Sequence, residues 1–207
     1  TCWTIWLEQN FFSTLDVGSA YYQLMLAAEC QEKTAFATKT AQYCFNHVSF
    51  GIASAPAAFQ SLMHNIIRDS LYKGQMAFFD DMIVYGKTRE EHDNNLNDLL
   101  KKIVNSGFKL NPKKCNILKK ELVFLGYKLS DRGVETDPSN ITKILNAPKP
   151  KCKKNLRSFL GLCNYYRRFV KGYAKISEPL HAATSGDGHY LEWTKECDNA
   201  FNNLCLL

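Results

Sequence analysis

Residues 75–86 constrain the fold of this chain more than any other stretch. The run Gln75-Met-Ala-Phe-Phe-Asp80-Asp81-Met-Ile-Val-Tyr-Gly86 sets two adjacent carboxylates between two apolar segments. Short apolar runs bounded by polar and glycine positions read as buried strands, and two of them around a two-residue tip read as a β-hairpin. Tight hairpin turns favour Asn-Gly or Asp-Gly because positive φ is needed there, so turn chemistry does not select an Asp80-Asp81 tip. Adjacent carboxylates also raise each other's pKa unless a cation intervenes. A divalent metal is the natural compensation, although taken alone the pair also reads as an exposed acidic turn.

A third acid sharpens the reading. Phe11-Phe-Ser-Thr-Leu15 is a short apolar strand that ends at Asp16. If this strand neighbours the hairpin in one sheet, Asp16, Asp80 and Asp81 form a three-carboxylate cluster. Oxygen-only donors of that kind suit Mg²⁺, which keeps several waters and shares its shell with substrate phosphates. Paired ions activate an attacking oxygen and stabilise a leaving one in phosphoryl transfer. Alone, Asp16 reads as the N-cap of the short helix expected over Ser19–Leu24.

Elsewhere the pattern alternates between strand and helix. Residues 34–38 and 42–50 alternate with Thr and aromatics like strands. Ser54 as a cap and Pro56 in a first turn open an amphipathic helix of about four turns, with Phe59, Leu62, Met63, Ile66 and Ile67 inward. Thr88-Arg-Glu-Glu91 is a capping box for a helix with Leu96, Leu99, Leu100, Ile103 and Val104 inward, ended by Gly107. Residues 108–136 hold short strands, including Leu122–Leu129, broken by the turn Asp131-Arg-Gly133. A boundary falls near 137. The texture then becomes helical through Ile141, Ile144 and Leu145, breaks at Ala147-Pro-Lys-Pro150, and continues in a basic helix with Leu156, Phe159, Leu160 and Phe169.

Composition narrows the classes. The chain has 207 residues, 45% hydrophobic and 22% charged, which fits a packed globular core and excludes wholesale disorder or low complexity. No apolar run approaches the roughly 18 residues of a membrane span. The first seven residues lack an initiator Met and the pattern of a signal peptide, so the expectation is a chain that begins mid-protein or was processed. The 8 cysteines are scattered, none in a Cys-x-x-Cys pair, and are read as isolated core thiols of a reducing compartment.

The net charge of +6 is unevenly spread: residues 1–100 carry 6 Lys and Arg against 11 Asp and Glu, net −5, and residues 101–207 carry 20 against 9, net +11. An acidic half joined to a basic half fits a polyanion gripped beside a cation site, or else a lysine-rich solvated surface.

In their order along the chain, these motifs resemble those of the reverse transcriptase of gypsy-like LTR retrotransposons and, more distantly, of retroviruses. Phe12-Ser-Thr-Leu-Asp16-Val-Gly-Ser-Ala-Tyr21-Tyr-Gln-Leu looks like the family's first catalytic motif, and Lys33-Thr-Ala-Phe36 like its following strand. Phe50-Gly51 through Ala55-Pro56-Ala-Ala-Phe59-Gln60 looks like its template-side helix. Phe78-Phe79-Asp80-Asp81 stands in the place of the Tyr-x-Asp-Asp signature. Phe124-Leu-Gly126-Tyr127 resembles the primer-grip hairpin, and Leu156 through Arg168 the helical segment after the palm. Phe78 departs from the signature Tyr, Ser49 stands where Pro is frequent, and the fingers that lie upstream of the first Asp are missing.

The resemblance implies an α+β fold: a polymerase palm with an antiparallel sheet and packed helices, followed by a mostly helical thumb or connection. Residues 1–136 would be the palm, with a partial fingers segment at about 28–50. Residues 137–190 would be the helical thumb or connection, and 191–207 the start of a truncated RNase H-like or connection region. The implied function is the RNA-directed DNA polymerase core of a retrotransposon Pol polyprotein, acting on primed RNA or DNA template with dNTPs. Asp16, Asp80 and Asp81 are then the catalytic and metal residues, holding two Mg²⁺ (Mn²⁺ as alternative). Tyr21, Phe50 and Gly51 bind the dNTP, Leu125, Gly126 and Tyr127 line the primer, and Lys114, or its neighbour Lys113, is the general acid.

The basic segment from 149 to 175 would contact duplex phosphates. Other Pol domains (protease, RNase H, integrase) are the implied partners, with no membrane. The implied location is intracellular, in the cytoplasm or in virus-like particles. Two rivals are a catalytically inactive nucleic-acid-binding fragment of such a polyprotein and an unrelated Mg²⁺-dependent phosphotransferase, which leaves the basic half unexplained.

Overall fold

The structure, a computed structural model, describes residues 4–6, 8–185 and 190–205. The expectations for Thr1, Cys2 and Trp3 lie outside them. The described elements are β1 (Phe11–Asp16), α1 (Ala28–Gln31), β2 (Phe36–Ala37), β3 (Gln42–Tyr43), α2 (Ala55–Ile66), β4 (Gln75–Phe78), β5 (Asp81–Gly86) and α3 (Arg89–Asn105). They continue with β6 (Asn116–Lys119), β7 (Leu122–Phe124), β8 (Tyr127–Ser130), β9 (Gly133–Thr136), α4 (Pro138–Leu145), α5 (Lys153–Tyr165), α6 (Tyr173–Ala183) and α7 (Lys195–Cys205). Both sheets and helices contribute, as the α+β reading requires. The chain divides into one unit of Thr1–Phe124 with Leu129–Val134 and a second of Leu125–Lys128 with Glu135–Leu207.

The first unit is built on an antiparallel sheet of order β4-β5-β1-β6. Because side chains alternate across a strand, register decides which residues share a face. Phe12 pairs with Tyr85, Thr14 with Ile83 and Asp16 with Asp81, so these six lie on one face. The other face carries Leu15, Met82 and Val84, packed with Phe59, Met63 and Ile67 from α2 and its C-cap and with Leu99 and Ile103 of α3. The buried residues of α2 recur every fourth position, which is one face of a helix.

Local chemistry fixes the helix ends. Glu91 N–H donates to Thr88 Oγ1 at 3.1 Å, while the Glu91 carboxylate accepts from Lys87 N–H at 2.9 Å, one residue earlier than a standard capping box. α3 ends as expected, with Gly107 at φ +74.

Close packing against α3 explains Gly86. A Cβ there would stand 2.5 Å from the backbone nitrogen of His92. The His92 ring is fully buried, and its Nε2 lies 2.8 Å from Ser13 Oγ of β1, which also accepts from Leu118 N–H at 2.9 Å. One imidazole thus ties α3 to the central strand.

Several expectations are corrected. The strands expected at 34–38 and 42–50 shrink to two residues each, because the segment after β3 pairs elsewhere: Leu26 N–H donates to Asn46 O and Val48 N–H to Leu24 O. Ser54 holds the cap position of α2 but lies in the right-handed helical region, where its side chain makes no capping bond, and α2 has 12 residues, short of four turns. Val104 points outward, 74% exposed, and Phe169 lies beyond α5 in a short 3-10 turn. Asp16 is not a helix cap; the following turn, Ala20–Gln23, begins after Ser19.

β7, β8 and β9 form a sheet in that order, along which the chain passes between the two units. In the second unit, Asp137 caps α4 by accepting from Ser139 N–H at 2.9 Å. That bond and a second from the Ser139 hydroxyl at 2.8 Å hold its carboxyl below the usual range. Leu156, Phe159 and Leu160 of α5 are buried as the sequence predicts, together with Leu180, Phe201 and Leu204. The described cysteines are all free thiols. Burial pushes the Cys163 thiol up to about 12, so it is an inert core group.

Candidate active site

β1 and β5 bring the acids together. Asp16 and Asp81 are direct cross-strand partners, and the ladder extends past them through Val17 N–H to Asp80 O at 3.0 Å. The two-residue tip is Phe79-Asp80, not Asp80-Asp81, since Phe78 pairs with Asp81 and Asp81 opens β5. Phe79 takes φ +53 at the first tip position, where glycine is the usual residue.

Burial and neighbouring negative charge define the electrostatics. Partial burial, then the carboxylates of Asp80 and Asp16, raise the Asp81 pKa, against a smaller opposing effect of Lys114. Asp16 is buried, and its Oδ1 has no hydrogen-bond partner, while Lys114 Nζ lies 3.2 Å from Oδ2. Lys114 arrives because Asn111 N–H donates to Asp16 O at 2.9 Å and Gly18 N–H to Lys109 O at 3.1 Å. Gln23 fastens that crossing, accepting from Lys109 N–H at 2.7 Å and donating to Lys109 O at 2.9 Å.

Among the described residues, no three His, Cys, Asp or Glu side chains are gathered tightly enough to enclose an ion. Lys114 offsets part of the negative charge that Asp80 and Asp16 set against Asp81. The donor set nevertheless fits a hard divalent cation: hard carboxylate oxygens, one of them buried and unpartnered, beside an acid whose charged form is disfavoured.

Beside the acids lies a cleft of about 270 Å³ lined by Val17, Ser19, Ala20, Tyr21, Phe50, Phe59, Asp80 and Lys114. Tyr21 stands edge-on to Phe50 at 5.7 Å and to Phe59 at 5.9 Å, which fixes its ring as one wall. Phe50 is 68% exposed, an apolar face left open to the cleft and solvent. Gly51, at φ +94, does not line the cleft.

Leu125, Gly126 and Tyr127 belong to the second unit. Leu125 and Gly126 form the β7–β8 turn, both at positive φ (+48 and +72) as a type I′ turn requires. Their carbonyls are held by neighbouring phenols: Tyr165 donates to Leu125 O, and Tyr166 donates to Gly126 O at 2.9 Å. Tyr127 stacks on Tyr165 at 5.1 Å. Burial and the adjoining Tyr127 push the Tyr165 phenol up to about 12, so it remains a donor throughout the neutral range. Sequence reading assigned no role to Gln23, Gln60, His92, Tyr165 or Tyr166; a Gln within a helix or at the end of a turn carries no pattern that announces its partner.

Comparison with known proteins gives the family of the chain. Residues 6–129 match the family described as reverse transcriptase (RNA-dependent DNA polymerase), and the chain belongs to that family. It is 36% identical over 171 residues to the retrovirus-related Pol polyprotein from transposon 297 of Drosophila melanogaster, covering 83% of this chain and 16% of that protein. To the Pol polyprotein from transposon gypsy of the same species it is 32% identical over 180 residues, covering 87% and 17%. Among solved structures, it is similar to the foamy viral protease-reverse transcriptase in complex with double-stranded DNA, with a TM-score of 0.87 and 26% identity, covering 96% of this chain and 35% of that one. The same viral enzyme in complex with an RNA/DNA hybrid gives a TM-score of 0.85 at 25% identity, covering 99% of this chain and 28% of that one. The chain therefore spans about a sixth of the length of the polyproteins it matches.

Proposed function

We propose that this chain is the RNA-directed DNA polymerase core of a retrotransposon Pol polyprotein, transferring a nucleotide from a dNTP to a primer 3′-hydroxyl on an RNA or DNA template. The observation that carries the reading is the register that sets Asp16 opposite Asp81, with Asp80 at the tip and one Asp16 oxygen buried without a partner. Asp16, Asp80 and Asp81 would hold two Mg²⁺, which when bound activate the attacking oxygen and neutralise charge developing on the leaving one.

The chain's own groups supply the rest. The Tyr21 ring walls the cleft where the dNTP sugar would lie, and Phe50 offers an apolar face to the base. Lys114, 3.2 Å from Asp16 Oδ2, would be freed where cations neutralised that carboxylate, and it is the candidate proton donor to the departing pyrophosphate. The tyrosine-braced turn of Leu125, Gly126 and Tyr127 offers a fixed backbone edge to the primer. Arg167, Arg168 and Lys175 line one groove of the second unit, a surface for phosphates that carries no sequence information.

In domain terms, residues 1–136 are assigned to the palm, with about 28–50 a partial fingers segment. Residues 137–190 are assigned to the thumb or connection, and 191–207 to the start of an RNase H-like or connection region. The partners are primed template, dNTPs and the remaining Pol domains, and the location is inside the cell with the polyprotein.

The test is Mg²⁺-dependent dNTP incorporation on a primed RNA template by the chain, by Asp80→Asn and by a version carrying the upstream Pol sequence. Extension by the chain or the extended version, abolished by Asp80→Asn, supports the reading. If neither extends primer although both fold and bind duplex, the chain is a nucleic-acid-binding part of the polyprotein and the catalytic assignment fails.

A further inference from the structure

Gln60 has no part in the proposed reaction, yet the metal-site hairpin and its own helix saturate its side-chain amide. Oε1 accepts from Phe79 N–H at 2.5 Å, and Nε2 donates to Ala77 O at 3.1 Å. The second N–H of the same nitrogen faces His64 Nε2 at 2.5 Å, one turn along α2. These partners agree on one amide orientation. A flip would set the NH₂ against the Phe79 N–H and the oxygen against the Ala77 carbonyl, two mismatches at once.

The residue so held is under strain. Phe79 is a bulky side chain at φ +53, and such conformations persist at functional sites only when their surroundings over-determine them. Gln60 can supply that constraint because its helix is anchored: Phe59 and Met63, on either side of it, are both 0% exposed.

We propose that Gln60 is a positioning residue that clamps the Phe79-Asp80 tip in its left-handed conformation and so sets Asp80 and Asp81 against Asp16 for cation binding. The inference rests on the reading of those three acids as the metal ligands. Without the amide, the Phe79 N–H loses its acceptor, the tip relaxes toward negative φ, and the Asp80 carboxylate swings from its place beside β1.

The experiment is titration of the full chain with Mn²⁺, free ion being followed by electron paramagnetic resonance, with a thermal melt of every variant. Gln60→Met removes the clamp at nearly constant volume and is expected to weaken Mn²⁺ binding about tenfold, the size of one net hydrogen bond to a strained turn. Adding Phe79→Gly recovers most of that loss, because glycine adopts the tip conformation unaided. Gln60→Asn, which draws the amide back by one methylene, behaves like Gln60→Met and serves if the latter does not fold. Parent-like Mn²⁺ affinity in a folded Gln60→Met or Gln60→Asn overturns the proposal, as does failure of Phe79→Gly to restore binding. Asp80→Asn separates the two claims: if it binds Mn²⁺ like the parent, the metal-site reading itself has failed, whereas if it alone loses binding, only the role of Gln60 has.

Discussion

Replacing Gly86 with alanine tests how tightly α3 is seated on the sheet that carries the acids. The added methyl would stand 2.5 Å from His92 N, 2.9 Å from His92 Cα and 3.1 Å from His92 Cβ, where ordinary contact begins near 3.4 Å. The obstacles are mainly backbone, so no rotamer change relieves them and α3 must retreat by roughly 1 Å. Retreat stretches the 2.8 Å contact between His92 and Ser13, both fully buried. Overpacking of this kind costs about 1–3 kcal/mol, and weakening one buried hydrogen bond adds about 1 kcal/mol. A loss of about 2–4 kcal/mol lowers the melting temperature by about 4–16 °C for a chain of this length. Circular dichroism on heating reads it directly. A useful contrast is Gly161→Ala in α5, where an added Cβ meets nothing within 4 Å. There the substitution is expected to stabilise by about 0.4–1 kcal/mol through the unfolded chain. A Gly86→Ala protein that melts within about 2 °C of the parent would refute the packing argument.

Other consequences can be measured on the same material. Thr88→Ala removes the cap accepted from Glu91 N–H and should cost about 1 kcal/mol in denaturant unfolding. Tyr166→Phe deletes the donor to Gly126 O and the acceptor of Asn140, and should destabilise the second unit by about 1–2 kcal/mol with little change in binding of Mn²⁺. The Asp81 carboxyl has a folded pKa above its unfolded value, so the native state binds that proton more tightly. Its contribution to stability is fully present below the unfolded value and is lost as pH rises through the folded one. In EDTA, Asp81→Asn should therefore gain stability relative to the parent as pH rises across that window, and added Mg²⁺ should narrow the difference. An equal gap at every pH would count against the charge cluster.

Much of the fold could be read from the chain because pattern and partner coincide there. The hairpin of 75–86, the α3 capping box and the Gly107 stop all use local rules, and tertiary contacts agree with them. Prediction failed where backbone groups found distant partners: residues 46–48 alternate like a strand, yet bond to 24–26 instead of extending β3. The acids stood out because adjacent carboxylates between apolar runs violate ordinary turn preference. Their exact placement did not, since the tip is shifted by one residue through a positive φ at Phe79 that no propensity favours. The amides of Gln23 and Gln60 were invisible for a different reason: the partners through which they join distant segments are main-chain atoms, which leave no trace in sequence.

The passage of the chain between units has a consequence for recombination. It crosses after Phe124, returns after Lys128 and crosses again after Val134, so Leu125–Lys128 belongs to the unit that otherwise begins at Glu135. A single exchange point at 137 between two related elements would graft a foreign α5 onto a resident Leu125-Gly126 turn, parting Tyr165 and Tyr166 from the carbonyls they brace. Chimaeras joined before Leu125 keep those pairs but import a foreign segment for Leu129–Val134, the end of β8, the turn and the start of β9. Intact hybrids therefore require either three crossovers, at 124/125, 128/129 and 134/135, or matched tyrosines in both parents, and viable single junctions should be scarce between 125 and 137.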